Sequence, residues 1–518
     1  MSEPTPDLPG SATPPVPIVD EASAPYWEAA GRHQLAVQRC AACGRLDHPP
    51  RLVCPACRHD PPDFEWVVLG GRGRLVTWTI VRDAFLPGFA PLVPYVVAEV
   101  RLDEQDDLRL VARLVDIDQN ALRIDLAVDA TFIDGGEGTT VLCFSEAAAP
   151  TEGSGSQRAP ASVPRVTEVG ARSASGGSRR AGLRGRGTHQ HGRRAAIVGF
   201  SHSPIVRRSD VSLGALTLRT VLEAIDDAGL TSEQIDGFTT GALFPSAAGL
   251  EARDGIETVT AGWVAEQLGT QPRWLNGFQG IGQICGSVAI ATDAIASGAA
   301  DYVVVHRAMY NPPVRYNANP MTHAAGANQW TAPNGYWGPP SHMALVYNEY
   351  QQRYGATREH MATVAVAARA AGATVPWSHW HDRAITRDDY LGSRMISDPM
   401  SVLDCDIPVT GVGAFVMTSA ERAADLPHKP VYVAGYAQGH SRRLHGVATW
   451  TLDDIERGGR DVAGILWDNC GFGPADVDVP QVYDAFSPFV YLWLEALGFC
   501  GTGEIGRASC RERVSCCV

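Results

Sequence analysis

Four cysteines in two Cys-x2-Cys pairs carry the plainest chemistry in this sequence: Cys40 with Cys43, and Cys54 with Cys57, the pairs ten residues apart. Each pair is a knuckle that aims two thiolates at one point, and two knuckles complete the tetrahedral shell of zinc. Four thiolates leave no open coordination position, so the metal is structural and not catalytic. His48, between the knuckles, and His59, just beyond them, are read as surface residues. A second feature is the glycine-rich stretch in which Gly277, Gly280 and Gly282 surround Ile281. It precedes an apolar helical run, and backbone N–H groups at such a place suit an anionic oxygen. Glycines that only permit close helix packing are the alternative. Cys285 follows Ile281 by four residues and is expected one turn into that helix, packed against the neighbouring sheet.

The elements that position these groups fall into two domains. Residues 1–19 are rich in Pro and are read as disordered. A helix over 24–36 and the ribbon fill 20–60. Within 61–146, the runs Trp66–Leu69, Arg74–Ile80, Tyr95–Arg101 and Leu108–Val115 are apolar or alternating, with Gly and Asp between them. That pattern predicts a small all-β barrel of the OB type. Residues 147–192 are dominated by Gly, Ser, Pro and Arg, without apolar periodicity, and are read as a solvated linker.

A strand over Ala196–Gly199 opens the second domain, followed by a helix with Leu218, Val221, Leu222 and Ile225 on one face and a strand after Ile235-Asp236. The unit recurs as a strand over Val431–Gly435, a helix to Cys470-Gly471 and a strand after Val477-Asp478, which would carry Tyr483 at its end. A glycine closes the helix in both copies, Gly229 and Gly471. The repeat predicts a duplicated α/β domain with halves 195–428 and 429–504. The second copy is shorter than the first, so the sequence predicts a truncated second half. The last fourteen residues, IGRASCRERVSCCV, are read as a non-native tail over 505–518.

Composition narrows the function classes. A net charge of −14 argues against a nucleic-acid backbone as ligand, since that affinity rests on clustered cations. No run of about 20 apolar residues exists to span a bilayer, and the first residues lack the basic flank and apolar core of a signal peptide. Cysteines scattered outside the paired motifs fit a reducing compartment, so a cytoplasmic location is expected.

The segments GRGRLVTWTIV and PLVPYVVAEVRLDE, together with the four cysteines, resemble the rubredoxin-like ribbon/OB family found beside acyl-CoA-using thiolases and hydratases. The resemblance implies a scaffold that docks onto an acyl-CoA enzyme, with an acyl-CoA hydratase or dehydrogenase as a possible partner, and not a nucleic-acid binder.

Residues 195–504 resemble the thiolase superfamily, and within it the sterol carrier protein X-type thiolases and lipid-transfer-protein aldolases. RAAIVGFSHSPI, GFQGIGQICGSVAIATDAIASGAADYVVV, RMISDPMSVLDCDIPVTGVGAFVMTSAERA and VYDAFSPFVYLWLEALGFCGTGE carry the likeness in family order. It implies a layered αβαβα thiolase fold and a homodimer. It also places the thiolase nucleophile slot at Ile281, which is not a cysteine, with Cys285 four residues later; an acyl transferase would use Cys285 or another thiol. The aldolase branch instead uses a tyrosine of lowered pKa as base on a β-hydroxyacyl-CoA, and the resemblance puts that tyrosine at Tyr483. Asp484 would orient Tyr483 or cap the helix starting at Ser487. His342 and Tyr347, on a helix over 342–354, would line the acyl tunnel or serve packing. The family's second catalytic segment would follow residue 504, so the chain as it stands is expected to be inactive. The leading expectation is retro-aldol cleavage of a β-hydroxyacyl-CoA with a steroid or lipid side chain. The rivals are a thiolase-type acetyl-CoA acetyltransferase and a non-catalytic acyl-CoA-binding scaffold.

Overall fold

The computed structural model describes residues 13–148, 194–241, 258–277, 283–310, 321–439 and 451–504. Residues 149–192 of the expected linker, the Gly280–Gly282 stretch and the 505–518 tail therefore lie outside the described residues, as does everything expected beyond residue 504. Residues 13–19, expected to be disordered, include a strand: β1 (Val16–Pro17) pairs in parallel with His323–Ala324 of the second domain.

The first helix is shorter than expected. It spans Ala24–Ala30 and stops at Gly31, and the residues after it enter β2 (Ala36–Cys40). β2 pairs with β3 (Leu46–Asp47) and β4 (Phe64–Val68), and this three-stranded sheet carries the knuckles. Next come β5 (Arg72–Val81), β6 (Tyr95–Leu102), β7 (Arg109–Leu114), β8 (Ala127–Asp134) and β9 (Thr140–Glu146). They pair in the order β5-β6-β7-β9-β8, and β8 returns to β5 through Arg72–Arg74, closing a five-stranded barrel. Alternation is the cause. Along β7 the residues Leu110, Ala112 and Leu114 point inward with Leu75, Val100, Val128 and Phe144, while the alternate residues Arg109, Val111 and Arg113 are less buried and face the other way.

The second domain is built on a six-stranded mixed sheet. Its strands are β10 (Ala195–His202), β11 (Gly237–Thr240), β12 (Trp274–Gly277), β13 (Tyr302–Met309), β17 (Gly411–Ser419) and β18 (Val431–Tyr432). They lie in the order β12-β11-β13-β17-β10-β18. The intervening short strands are β14 (His323–Ala324), β15 (Met395–Asp398) and β16 (Met400–Ser401). Helix Leu213–Asp227 starts at Ser212, whose hydroxyl accepts from the Ala215 N–H, and ends before Gly229 in the left-handed region. Its buried face is Leu216, Thr217, Thr220, Val221, Ala224 and Ile225. Leu222, expected on that face, is exposed, because small side chains let the helix lie close to the sheet.

The second half departs most from expectation. Helix Leu452–Cys470 is capped by Thr451 and closed by Gly471, as the pattern predicted. The strand after it is absent among the described residues: a 3-10 turn over Pro474–Asp476 leads into irregular chain, and helix Ser487–Ala496 follows. Tyr483 therefore sits in a loop, not at a strand end.

The two domains share one sheet. β15 of the second domain adds to the edge of β5, pairing Ser397 with Val81 and Asp398 with Ile80. Around this seam the Thr79 and Ser397 hydroxyls lie 2.7 Å apart, Thr77 donates to the Leu345 carbonyl at 2.8 Å and Tyr95 donates to the Gly335 carbonyl at 2.8 Å. Gly335 has φ +73, and a Cβ there would lie 2.7 Å from the Phe89 ring and 2.8 Å from the Tyr95 hydroxyl, so only glycine fits.

Candidate active site and metal centre

The knuckles fold as their spacing predicts. Gly44 N–H returns to the Cys40 carbonyl at 2.8 Å and Arg58 N–H to the Cys54 carbonyl at 3.0 Å, so each pair turns its two sulfurs the same way. The Sγ atoms of Cys40 and Cys57 are 3.6 Å apart, as are those of Cys43 and Cys54. All four lie within 4.8 Å of one another. Zinc–sulfur bonds of about 2.3 Å in a tetrahedron put sulfurs about 3.8 Å apart, so the four residues fit zinc as a structural ion. His59 is exposed as expected, but His48 is half-buried, packed between Tyr26 and Trp330 at ring distances of 5.1 and 4.9 Å. The ribbon thus rests on the second domain.

A charged network seals the seam deeper in. Arg109 of the barrel bonds Glu99 at 3.0 Å and Asp453 at 3.2 Å. From the other domain, Arg353 pairs with Glu349 and, at 2.6 Å, with Asp453. Glu349 is pushed up to about 7, chiefly by burial and then by the charge of Glu99.

Tyr483 is 53% exposed, its ring 5.6 Å from that of Phe489. The loop that carries it is pinned from one side. Asp406 N–H donates to the Ala485 carbonyl at 2.8 Å, and Cys405 bridges Phe486. Behind that contact, buried Asp404 accepts from the Tyr390 hydroxyl at 2.7 Å and from both the N–H and hydroxyl of Ser401 at 2.8 Å. Ser487, first residue of the following helix, bonds the same carboxylate. Asp484 was one candidate for capping that helix. The N-cap is instead Phe486, without a side-chain cap, and Asp404 supplies the carboxylate from another segment.

The surroundings of Tyr483 do not favour the lowered acidity that the resemblance implies. Partial burial comes first, then the charge of Asp406; Arg307 opposes them and Asp484 adds to them, so the phenol is raised above its ordinary value. A lowered phenol is not found. Asp484 is likewise raised, by desolvation. Arg307 and Asp406 were missed in the sequence. The signal for Arg307 was available: His306-Arg307 interrupts the apolar run of β13 toward its carboxyl end, where open α/β sheets place their ligands.

The other expected site residues scatter. Cys285 lies in the first described turn of helix Gln283–Ala296 and is exposed, not packed on the sheet. His342 and Tyr347 occupy one helix, Pro339–Tyr354. His342 is buried at the seam 4.5 Å from the Tyr336 ring, and burial pushes its imidazole down to about 3. Tyr347 stacks with Tyr350 and donates to the Thr357 carbonyl at 3.1 Å. Both are engaged in packing. Gly280, Ile281 and Gly282 are outside the described residues.

Comparison with known proteins agrees with this layout. Residues 27–65 match the ChsH2 rubredoxin-like zinc ribbon domain, 66–132 the ChsH2 C-terminal OB-fold domain, and 443–515 the thiolase C-terminal domain-like family. The chain is 33% identical over 320 residues to the 17-hydroxy-3-oxo-4-pregnene-20-carboxyl-CoA lyase of Mycobacterium tuberculosis, covering 60% of this chain and 80% of that protein. The chain belongs to the thiolase-superfamily aldolases. A steroid side-chain-cleaving aldolase of Thermomonospora curvata is 34% identical over 321 residues, covering 60% of this aldolase-family chain and 79% of the relative. Among solved structures, an Ltp2-ChsH2(DUF35) aldolase aligns with a TM-score of 0.54 and 31% identity, over 62% of this chain and 80% of the other. This member of the family carries a ribbon, an OB barrel and a thiolase-fold domain on one polypeptide. Among the described residues no helix is long and apolar enough to cross a membrane.

Proposed function

We propose that this chain is an acyl-CoA carbon–carbon lyase that cleaves a β-hydroxyacyl-CoA by retro-aldol chemistry, with a steroid or similarly bulky lipid side chain. The observation that carries it is Tyr483, a half-exposed phenol packed beside Phe489 within the field of Asp406, Arg307 and Asp484, in a chain similar to lyases of that type.

The reaction moves one proton. The β-hydroxyl loses its proton, the C–C bond breaks to leave a carbonyl, and the electron pair becomes a thioester enolate whose α-carbon is then protonated. A phenol with a raised pKa holds its proton at rest, so Tyr483 gives that proton to the α-carbon. Asp484, the neighbouring carboxylate, takes the hydroxyl proton and returns it to Tyr483. Arg307 offsets the charge that develops. His342 and Tyr347 act from behind, as packing. The ribbon and barrel hold the second domain as an attached scaffold, with zinc keeping the ribbon folded.

A β-hydroxyacyl-CoA is the product of enoyl-CoA hydration, so a hydratase is the partner class this reading favours. A homodimer through the thiolase domain is supported by β12, an edge strand with Leu275 exposed. A cytoplasmic setting fits the free thiols. An acyl transferase reading is favoured by one observation, the exposure of Cys285 in a first helical turn.

The test is to mix the chain with β-hydroxyacyl-CoA thioesters, with and without iodoacetamide. Against the expectation from the sequence of an inactive chain, equal amounts of carbonyl product and shortened acyl-CoA, insensitive to alkylation, are the result this reading requires. Alkylation-sensitive condensation of two acyl-CoAs would move the protein to the acyl transferases, and thioester binding without turnover would make it a scaffold.

A further inference from the structure

Helix Ser487–Ala496, which follows the tyrosine loop, holds a buried carboxylate that the chemistry above does not use. Glu495 is 7% exposed, and its Oε1 accepts from the Tyr350 hydroxyl and, at 2.9 Å, from the Gly503 N–H. Tyr350, also buried, belongs to helix Pro339–Tyr354. Burial and then the Glu495 charge raise its phenol far above the ordinary value, so Tyr350 keeps its proton and donates. Tyr491 stacks on the same Tyr350 ring, 6.2 Å between centres and 24° between planes. Four residues separate Tyr491 from Glu495, which sets both on one face of their helix. Tyr350 therefore meets that helix twice, by stacking and by hydrogen bond. The helix carrying Tyr350 is itself fixed to the barrel: Asn348 donates to the Thr77 hydroxyl at 3.3 Å, and that hydroxyl donates to the Leu345 carbonyl at 2.8 Å.

Phe489 lies two residues before Tyr491, roughly 200° around the helix axis, and so faces the other way. Its ring is the one 5.6 Å from Tyr483. One helix thus has Tyr350 against one face and Tyr483 against the opposite one, and a turn that loosens the first contact shifts the second. Asp404 fixes Ser487 at the near end of the helix. A single anchor leaves the far end free to pivot, and Glu495, in the last turn, removes that freedom. Filling space among tyrosines with a carboxylate is costly, because the group gives up its hydration. An apolar side chain would pack there but would not set an angle. We propose that Tyr350 and Glu495 are positioning residues for Tyr483, fixing the rotation of helix Ser487–Ala496 and with it the place of the phenol. The proposal rests on the reading of Tyr483 given above.

The full chain carrying 3-fluorotyrosine at position 483 tests this by fluorine NMR, without any turnover. Tyr350→Phe removes the hydroxyl and keeps the stacked ring. It should move the fluorine resonance by more than a linewidth and, in the unlabelled chain, lower kcat for a β-hydroxyacyl-CoA by about ten-fold or more. Glu495→Leu should do the same. Glu495→Gln, which keeps a carbonyl acceptor of the same reach, should stay near the parent in both readouts. Tyr354→Phe is the control for a general loss of stability. It gives up a hydrogen bond of 2.8 Å to Glu456, on helix Leu452–Cys470, and should leave the resonance in place. A resonance unmoved in Tyr350→Phe and Glu495→Leu, or moved as far in Tyr354→Phe, would overturn the positioning role. So would a moved resonance with the kcat of the parent. A moved resonance in a protein whose parent cleaves no β-hydroxyacyl-CoA would instead sink the lyase reading and keep the link between Tyr350 and Tyr483.

Discussion

Arg82, at the end of the OB barrel's β5, grips Asp398 of the thiolase-fold domain through three hydrogen bonds between 2.6 and 3.1 Å, one strand pairing away from where β5 and β15 join. Two domains separated by a long sequence gap are therefore one packed unit. A double-mutant cycle with Arg82→Ala and Asp398→Ala should give a coupling of about 1 kcal/mol, as for a partly exposed bidentate pair. Thr77→Val should cost more, roughly 1–3 kcal/mol, because it strips a buried carbonyl of its donor. Urea unfolding measures both, and a Thr77 variant as stable as the parent would mean that the barrel is not docked in this way.

The seam should also respond to pH. Glu349 is pushed up to about 7, and Glu99 is raised as well, mainly by burial. Between the ordinary glutamate range and about pH 7 the folded chain keeps a proton that the unfolded chain has released. Stability should fall as pH rises through that window and level off above it, with a slope of at most about 1.4 kcal/mol per pH unit for one group. Glu349→Gln should flatten the profile, and an unchanged slope in that variant would assign the effect elsewhere.

Zinc should be worth more to the ribbon than to the chemistry. A strong chelator, or Cys40→Ser, should release one equivalent of metal and loosen the ribbon, as read by tryptophan fluorescence from Trp27 and Trp66. Cleavage should survive to the extent that the seam holds. Metal loss with an immediate and complete stop in turnover, before any spectral change, would give the ion a catalytic part that four sulfur ligands do not allow.

Much of this was legible where the determining contacts are local. The cysteine spacing predicts a metal site because each knuckle is a short-range turn, and Gly229 and Gly471 mark helix ends by their own backbone preference. Leu222 misled because the helix packs through Thr217, Thr220 and Ala224, so residue size at the contact outweighed hydrophobicity. Tyr483 was placed by family resemblance, yet its acidity depends on burial first and then on Asp406 and Arg307, brought in from distant segments. The same holds for the edge of β5, whose partner β15 no local pattern names.

Asp404 gives a further check on how the tyrosine loop is held. Asp404→Asn keeps one acceptor but cannot serve Tyr390, Ser401 and Ser487 together. The variant should lose about 1–3 kcal/mol of stability. It should also lower kcat, because the loop that carries Tyr483 loses its anchor. Rescue by Asp404→Glu would not be expected in so confined a site.

Turnover of a β-hydroxyacyl-CoA by Tyr483→Phe beside the parent tests the central claim most directly. The side chain is half exposed, so folding should change by no more than about 0.5 kcal/mol. The account predicts intact substrate binding and a loss in kcat of about 100-fold to 10,000-fold, the usual worth of a positioned proton-transfer group. A Phe variant that cleaves as fast as the parent would contradict it and remove Tyr483 from the chemistry.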